Sequence, residues 1–458
     1  MCSLQPRVRR ERRSCAPASF PCPTCGVPGR RKDRHTRTVR CLAYREILLI
    51  ELTIGEYRAD CGCCKTFRSH VEGILPRAEY TNKVREAVLD RLLDDRMSAE
   101  GLRRALARDF HLELSDGFVY DCLNWKVRQV KGADYRQWTL ERFSGTLCID
   151  ELHLGKKTLL LATDPLHDFA VAFALVGAND QDHMRRFLSN LKRWGFLPQV
   201  VITDGSNLYP TLLAEVWPQA RHQLCVFHVL QDLNGLVLDA VKRLRRHMAR
   251  RGNGGRKRKR GRPRQGATPR RGLTLKDKAH FVFKKRYLIV RRRQDLTRQE
   301  RNDLSRVLQY LPALAVLRQF VDRTHRLFAA EQSQHQAWCR RAALLRGASF
   351  AAVPELAEAM ALLSAEKFAK MIAFVHSPAH RRVRTNNHVE RMNRQLRYLE
   401  KVRYKWRRRR ALVRFVILTL DRWQRRPATA AEQGPATRAQ ASPTEGPSTS
   451  RPRARPAA

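Results

Sequence analysis

Two hydrophobic periods alternate along this chain, and the point where one gives way to the other divides it. Over residues 82–127 apolar side chains recur every three or four positions: Val84, Ala87, Val88 and Leu92, then Leu102, Ala105 and Leu106, then Val119, Leu123 and Val127. That is the spacing of one helical face, and Ser98 and Ser115 stand where N-caps belong, so three helices are expected. A tight polar connection between two short helices, followed by a third, suits a helix-turn-helix whose last helix reads a DNA groove; ordinary bundle packing predicts the same pattern. From Gly145 the period shortens. Residues 146–150, 158–163 and 169–175 are short runs rich in apolar and β-branched residues, separated by turn formers, and predict an antiparallel meander. An amphipathic helix over 180–194, a fourth strand over 199–203, a helix over 208–216 and a fifth strand over 221–227 follow. A meander succeeded by alternating helix and strand gives a mixed α/β sheet.

Beyond the sheet the pattern is helical again. Residues 273–380 are expected to form an all-helical insertion, with Leu304, Leu308, Leu311, Leu314 and Leu317 among its apolar positions. Three stretches have nothing to bury: a basic arm over 1–18, a Gly/Arg/Lys loop over 244–272 and an Ala/Pro/Thr/Ser-rich tail over 427–458, all expected to be disordered. Between them lie a cysteine-bearing module (19–75), the helix-turn-helix-like segment (80–132) and a larger unit spanning 143–425.

Composition narrows the partner. The 458 residues carry 90 Lys+Arg against 43 Asp+Glu, a formal net charge of +47. Such an excess favours a polyanion, nucleic acid ahead of an acidic membrane. No stretch has the apolar length of a membrane span, and the Arg-rich N-terminus lacks the apolar centre of a secretory signal. A location in the cytoplasm, on the nucleoid, is expected.

The cysteines point to metal. Cys22-Pro-Thr-Cys25 and Cys61-Gly-Cys-Cys64 are two Cys-x-x-Cys knuckles, and four thiolates in a tetrahedron suit structural Zn²⁺ in a module too small for much core. Cys22, Cys25, Cys61 and Cys64 are the expected ligands. Cys63 could displace Cys64, Cys41, His35 and His70 are possible substitutes, and a set of reduced thiols is the bland reading.

Three carboxylates hold the remaining chemistry. Asp150 and Asp204 end strand-like runs, and Glu390 lies in a charged, helix-favouring stretch. Acids brought together from two strands and a late helix can hold a pair of Mg²⁺ or Mn²⁺ ions against a phosphodiester. Glu151 should project from the opposite face of its strand and is set aside. Asp164, followed by Pro165, reads as a turn residue.

The surrounding motifs carry a resemblance. They are Ile149-Asp150-Glu151, Thr203-Asp204-Gly205-Ser206-Asn207-Leu208-Tyr209, Trp217-Pro218-Gln219-Ala220, Cys225-Val-Phe-His228-Val229 and Asn386-Asn387-His388-Val389-Glu390-Arg391-Met392-Asn393. In this order, behind the cysteine knuckles, they make residues 20–425 resemble the zinc-ribbon DDE transposases of bacterial insertion sequences. The resemblance implies a ribonuclease-H-like core interrupted by a helical insertion, with Asp150, Asp204 and Glu390 as its acids. It implies metal-dependent cleavage at the element's ends, strand transfer into target DNA, and recognition of terminal inverted repeats by the N-terminal module. Two ends must be processed together, so a homo-oligomer on DNA is expected. Cys225 and His228 match a Cys-x-x-His motif of related transposases, either supporting the site or forming a buried structural pair; Asn387, Arg391 and Asn393 flank the last acid. A zinc-containing DNA-binding regulator, or an inactive transposase remnant, is the alternative.

Two basic segments should touch DNA. Arg260 and Arg262, in Arg258-Lys259-Arg260-Gly261-Arg262-Pro263-Arg264, resemble an AT-hook that follows an A·T minor groove, with a plain phosphate-binding loop as the alternative. Arg394, Arg397, Lys401 and Arg403 follow Glu390 along the same helix or its continuation.

Overall fold

The computed structural model describes residues 6–206, 208–253, 273–402 and 408–425. Its first element overturns an expectation: within the supposedly disordered arm, Arg7–Cys15 form strand β1. Nothing in that run alternates in hydrophobicity, so pattern reading misses it. It is held by a parallel backbone ladder to β4 and by cross-strand charge, Arg10 and Arg12 reaching Glu51 at 3.3 and 3.1 Å. Strands β2 (Ser19–Pro21), β3 (Pro28–Cys41), β4 (Glu46–Arg58) and β5 (Phe67–Arg68) complete the sheet in the order β1-β4-β3-β2, with β5 also beside β4. Along β4 every second residue, Leu48, Ile50 and Leu52, is buried against Val39, Cys41 and Ile74. A smaller cluster of Cys22, Tyr57, Ala59 and Phe67 lies next to the cysteine knuckles.

Helices α1 (Asn82–Leu93), α2 (Ala99–Phe110) and α3 (Asp116–Val127) follow, and the last two start at the expected caps, Ser98 Oγ accepting from Gly101 N–H and Ser115 Oγ from Phe118 N–H. An unanticipated helix, α4 (Gly132–Glu141), precedes the second sheet; it buries little, which is why its period is faint.

That sheet comprises β6 (Thr146–Leu154), β7 (Lys157–Asp164) and β8 (Phe169–Val176), then α5 (Gln181–Arg193), β9 (Val200–Thr203), α6 (Tyr209–Val216) and β10 (Arg221–Leu224). The strand order is β10-β9-β6-β7-β8, antiparallel across β6, β7 and β8 and parallel across β6, β9 and β10. Ile149, Leu160 and Ala162 pack on one side with Leu188 and Leu191 of α5 and Tyr209 and Leu212 of α6. Cys148, Leu152 and Leu161 occupy a core on the other side. Cover on both faces explains the nearly continuous apolar runs of these strands.

The fifth strand ends earlier than its β-favouring residues suggest. After Leu224 the chain turns into helix α7 (Val226–Asn253), and Val226 N–H donates to Arg384 O at 2.9 Å. Tertiary packing overrides local propensity here. The same helix, with Val237, Ala240 and Val241 buried, carries order to Asn253 and so into the stretch expected to be disordered from 244. The AT-hook-like Arg260 and Arg262 lie outside the described residues, as does the tail over 427–458.

The insertion contains α8 (Leu275–Lys284), α9 (Arg298–Tyr310), α10 (Leu314–Leu327), α11 (Gln334–Leu345), α12 (Ala348–Ala351), α13 (Pro354–Ala361) and α14 (Ala365–Met371). Its core, including Val282, Leu317, Phe320, Phe350, Phe368 and Phe374, is shared with α7 through Leu233 and Val237. The chain returns to the sheet at the buried Gln223 of β10. Its Nε2 donates to Met371 O at 2.9 Å and its Oε1 accepts from Phe374 N–H at 2.7 Å. Helices α15 (Asn387–Val402) and α16 (Arg409–Arg425) follow. Val389, Met392 and Leu396 of α15 fill the core behind Cys148 and Leu152, which also takes in Val84, Leu102 and Val119 of the first three helices. Arg422 of α16 pairs with Asp90 at 2.8 Å and with Asp94. Among the described residues no helix is long and apolar enough to cross a membrane.

Candidate active site

A strand that stops short of its neighbour creates the site. The pairing of β6 with β9 runs from Thr146↔Val200 to Cys148↔Ile202, whereas β6 continues to Leu154. Asp204 lies one residue past the end of β9, beside the stretch of β6 that has lost its partner on that side. There Asp150, Glu151 and Asp204 each bring a carboxylate oxygen to within 4.8 Å of the others. Each is anchored by a different element. Asp204 Oδ1 accepts from Ser206 N–H at 3.0 Å, Asp150 Oδ2 from Asn393 Nδ2 at 2.8 Å, and Glu151 Oε1 from Tyr209 Oη at 2.6 Å.

Glu151 thus corrects the expectation that set it aside. Its strand face is indeed opposite to that of Asp150, toward Tyr209 and α6. Because no strand continues between them and Asp204, both carboxyls reach the same open edge. Burial pushes Asp150 up to about 6, assisted by the charges of Asp204 and Glu390 and resisted by the Asn393 hydrogen bond. Burial likewise pushes Glu151 up to about 7, against the Tyr209 hydrogen bond and with the charges of Asp204 and Asp150. In both, burial is the main cause and the neighbouring carboxylates add to it.

Glu390, in the first turn of α15, belongs to an adjoining group. Its carboxylate, Cys225 Sγ and an imidazole nitrogen of His228 lie within 4.8 Å of one another, with His228 Nε2 3.8 Å from Glu390 Oε1. His228 stands in the first turn of α7 rather than at the end of a strand. A hydrogen bond to Cys225 raises it to about 9 against the opposing effect of burial, and the Cys225, Glu390 and Asp204 charges add to the rise. Asn386 secures the start of α15: its N–H donates to Cys225 Sγ at 3.2 Å and its Nδ2 to Ile149 O at 3.0 Å. Asn387, expected to support the site, is exposed, and its neighbour Asn386 makes these contacts. The Asn-Asn pair signalled the position but not which member faces inward. Among the described residues Glu390 Oε1, His228 Nδ1 and Asn393 Oδ1 are buried without a hydrogen-bond partner.

The basic face of α15 divides. Arg391 pairs with Asp168 and lies 5.2 Å over the Trp423 ring, while His388 Nε2 donates to Asp168 Oδ1 at 2.6 Å and its Nδ1 shares a hydrogen bond with Thr163 Oγ1 at 2.9 Å. Burial pulls Asp168 upward, but the His388 hydrogen bond and the Arg391 charge hold it below the usual carboxylate range. Arg394, Arg397 and Lys401 are exposed, and Arg403 lies outside the described residues. Asp164 ends β7 and serves the turn that follows: its buried carboxylate accepts from Ser144 Oγ and N–H and from Leu166 N–H.

In the N-terminal module the sulfurs of Cys22, Cys25, Cys61 and Cys63 lie within 4.8 Å of one another. Cys63 therefore takes the place expected of Cys64, although Cys64 Sγ remains 3.7 Å from Cys22 Sγ. Consecutive cysteines in one turn present the same spacing to within a residue, so sequence alone leaves the choice open. Thiolates about 2.3 Å from Zn²⁺ in a tetrahedron lie roughly 3.8 Å apart, so this donor set fits zinc. Backbone N–H groups of Cys25 and Thr24 lower Cys22 to about 6, whereas Cys25 and Cys61 push Cys63 up to about 12.

No curated protein matches the chain. Residues 147–413, from β6 into α16, match the family model of the ISL3-type DDE group, described as Transposase. Because that match covers more than half of the 458 residues and begins on the strand bearing Asp150, the chain belongs to the ISL3 family of transposases.

Proposed function

We propose that this transposase cuts the ends of its own insertion sequence in a metal-dependent reaction and joins the freed 3′ ends to target DNA, with Asp150, Asp204 and Glu390 as its catalytic acids. The observation that carries the reading is the open edge of β6, where Asp150 and Asp204 converge and Glu390 is near enough for its charge to raise Asp150. An all-oxygen donor set suits Mg²⁺ or Mn²⁺ over softer ions, and Glu390 Oε1, which accepts no hydrogen bond, offers a further lone pair. Held there, a pair of such ions supplies Lewis-acid activation of the attacking oxygen and charge neutralisation at the leaving one.

The protein's own groups do the positioning. Asn393 and the Ser206 N–H orient Asp150 and Asp204, and a protonated His228 offsets the Glu390 charge. Exposed Arg394, Arg397 and Lys401 extend from the acids along α15 and can hold phosphates of the bound strand. The cysteine module, with structural Zn²⁺, and the three helices after it would grip the terminal inverted repeats. Two protomers would bring two ends together.

The test is incubation of the full chain with DNA carrying the sequences that flank its gene, in Mg²⁺ or EDTA. Wild-type protein should cut and join only with Mg²⁺, while Asp150→Ala, Asp204→Ala and Glu390→Ala should bind and not cut. Cutting without joined products would make it a nuclease. Binding without cutting would make it a regulator or a remnant, and full cutting by the variants would sink the acid assignment.

A further inference from the structure

We infer that Glu151 is a fourth carboxylate of the metal cradle, sharing an ion with Asp150 and Asp204, and that Tyr209 positions it. This rests on the proposed metal-dependent reading of the site and adds a ligand to it.

The argument begins with what is missing around the cluster. The chain has 90 Lys+Arg for 43 acids, and many of its described carboxylates pair with a basic side chain, as Glu51, Glu86, Glu355 and Asp303 do. Yet among the described residues no Lys or Arg forms an ion pair with Asp150, Glu151 or Asp204. Three acids within 4.8 Å of one another, partly buried and without a paired Lys or Arg, repel one another unless an external cation joins them. In so basic a protein, leaving that place free of arginine keeps it open for a metal.

Glu151 is also held as a ligand would be. Tyr209 is fully buried at the start of α6, and its hydroxyl donates to Glu151 Oε1 at 2.6 Å. A carboxylate has about four lone-pair sites on two oxygens, so a single donor fixes its rotamer and leaves coordinating capacity. Metal-binding carboxylates are commonly oriented by such a neutral outer donor. The sequence supports this economically, since Asp204 and Tyr209 are five positions apart and one strand-to-helix loop delivers both.

A purely structural Glu151 would need only to accept the tyrosine proton, and the amide oxygen of glutamine does that equally well. Glu151→Gln therefore separates the two roles. In the full chain, Mn²⁺ binding read by electron paramagnetic resonance should weaken roughly tenfold or more in Glu151→Gln, and by about three- to tenfold in Tyr209→Phe. Excess Mn²⁺ should restore end cleavage to Tyr209→Phe. Melting in EDTA should be unchanged or higher for Glu151→Gln, because one of three like charges is gone. Wild-type Mn²⁺ affinity in Glu151→Gln overturns the inference. Should that variant not fold, an unaltered Mn²⁺ requirement in Tyr209→Phe overturns it instead. Asp204→Asn is the control for the underlying reading: if it loses Mn²⁺ while Glu151→Gln keeps it, only the fourth ligand is wrong. If neither loses Mn²⁺, the metal site itself is.

Discussion

The two sheets of this protein place their candidate metal groups in opposite relations to the fold. In the N-terminal sheet the four clustered cysteines lie beside a small core of Cys22, Tyr57, Ala59 and Phe67, so the sulfurs are part of what the module has to fold around. In the second sheet the acids stand at an edge, while extensive cores on both faces are complete without them. On the proposed reading, metal in the first place would be structure and in the second reagent. The same element type serves both ends because a small module lacks apolar area and a large one has it to spare.

Removing metal from each sheet should therefore have different consequences. The largest effect is expected from Cys22→Ser with Cys25→Ser, or from a zinc chelator. Since structural zinc contributes on the order of 10 kcal/mol to small modules, β1–β5 should lose protection in hydrogen exchange while the second sheet keeps its own. Equal loss in both sheets would erase the contrast. Next comes Asp204→Ala, which should abolish Mg²⁺-dependent cutting with no fall in melting temperature; a large drop would mean the acids stabilise the fold. Asn393→Ala, which frees one side of Asp150, should weaken metal affinity about 10–100-fold and leave DNA binding intact, as measured by Mn²⁺ titration and gel shift.

The smallest effect concerns pH. His222, bonded to Thr203 Oγ1 at 2.8 Å, is lowered to about 4 by burial, with the Lys370 charge adding to the effect. Between the usual histidine value and about 4 the unfolded chain binds a proton that the folded one refuses, so stability falls as pH drops through that window. Wild type should lose on the order of 1–2 kcal/mol relative to His222→Gln between pH 6.5 and 4, seen in urea melts. Parallel curves would mean that His222 does not titrate as its burial implies.

Much of this was legible in the chain because burial leaves a period. The meander and α5 follow from spacing, the starts of α2 and α3 from Ser98 and Ser115 ahead of their apolar faces, and Asp150 and Asp204 from their places at the ends of apolar runs. What was hidden depended on neighbours. β1 is stabilised by a ladder and by Glu51, 41 and 39 positions from Arg10 and Arg12, which no local pattern records. The alternation of strand faces sets Glu151 apart from Asp150, but its premise, a sheet continuing on both sides, fails where β9 ends. The choice of Cys63 over Cys64, and of Asn386 over Asn387, turns on one residue of rotation that adjacent identical side chains cannot reveal.

Gln223 binds chain segments 151 positions apart at the point where the helical excursion departs and returns. Topologically, that amide makes the excursion a closed detour: the route between its ends may lengthen, shorten or be exchanged, while the re-entry point beside the sheet stays put. Loop closure costs only slowly more with length, so such replacement would be tolerated thermodynamically. Gln223 thus holds the approach to α15, and with it Glu390, from the sheet side, while Arg382 and Arg384 hold it from the side of the detour through the carbonyls of Gln332 and Phe328.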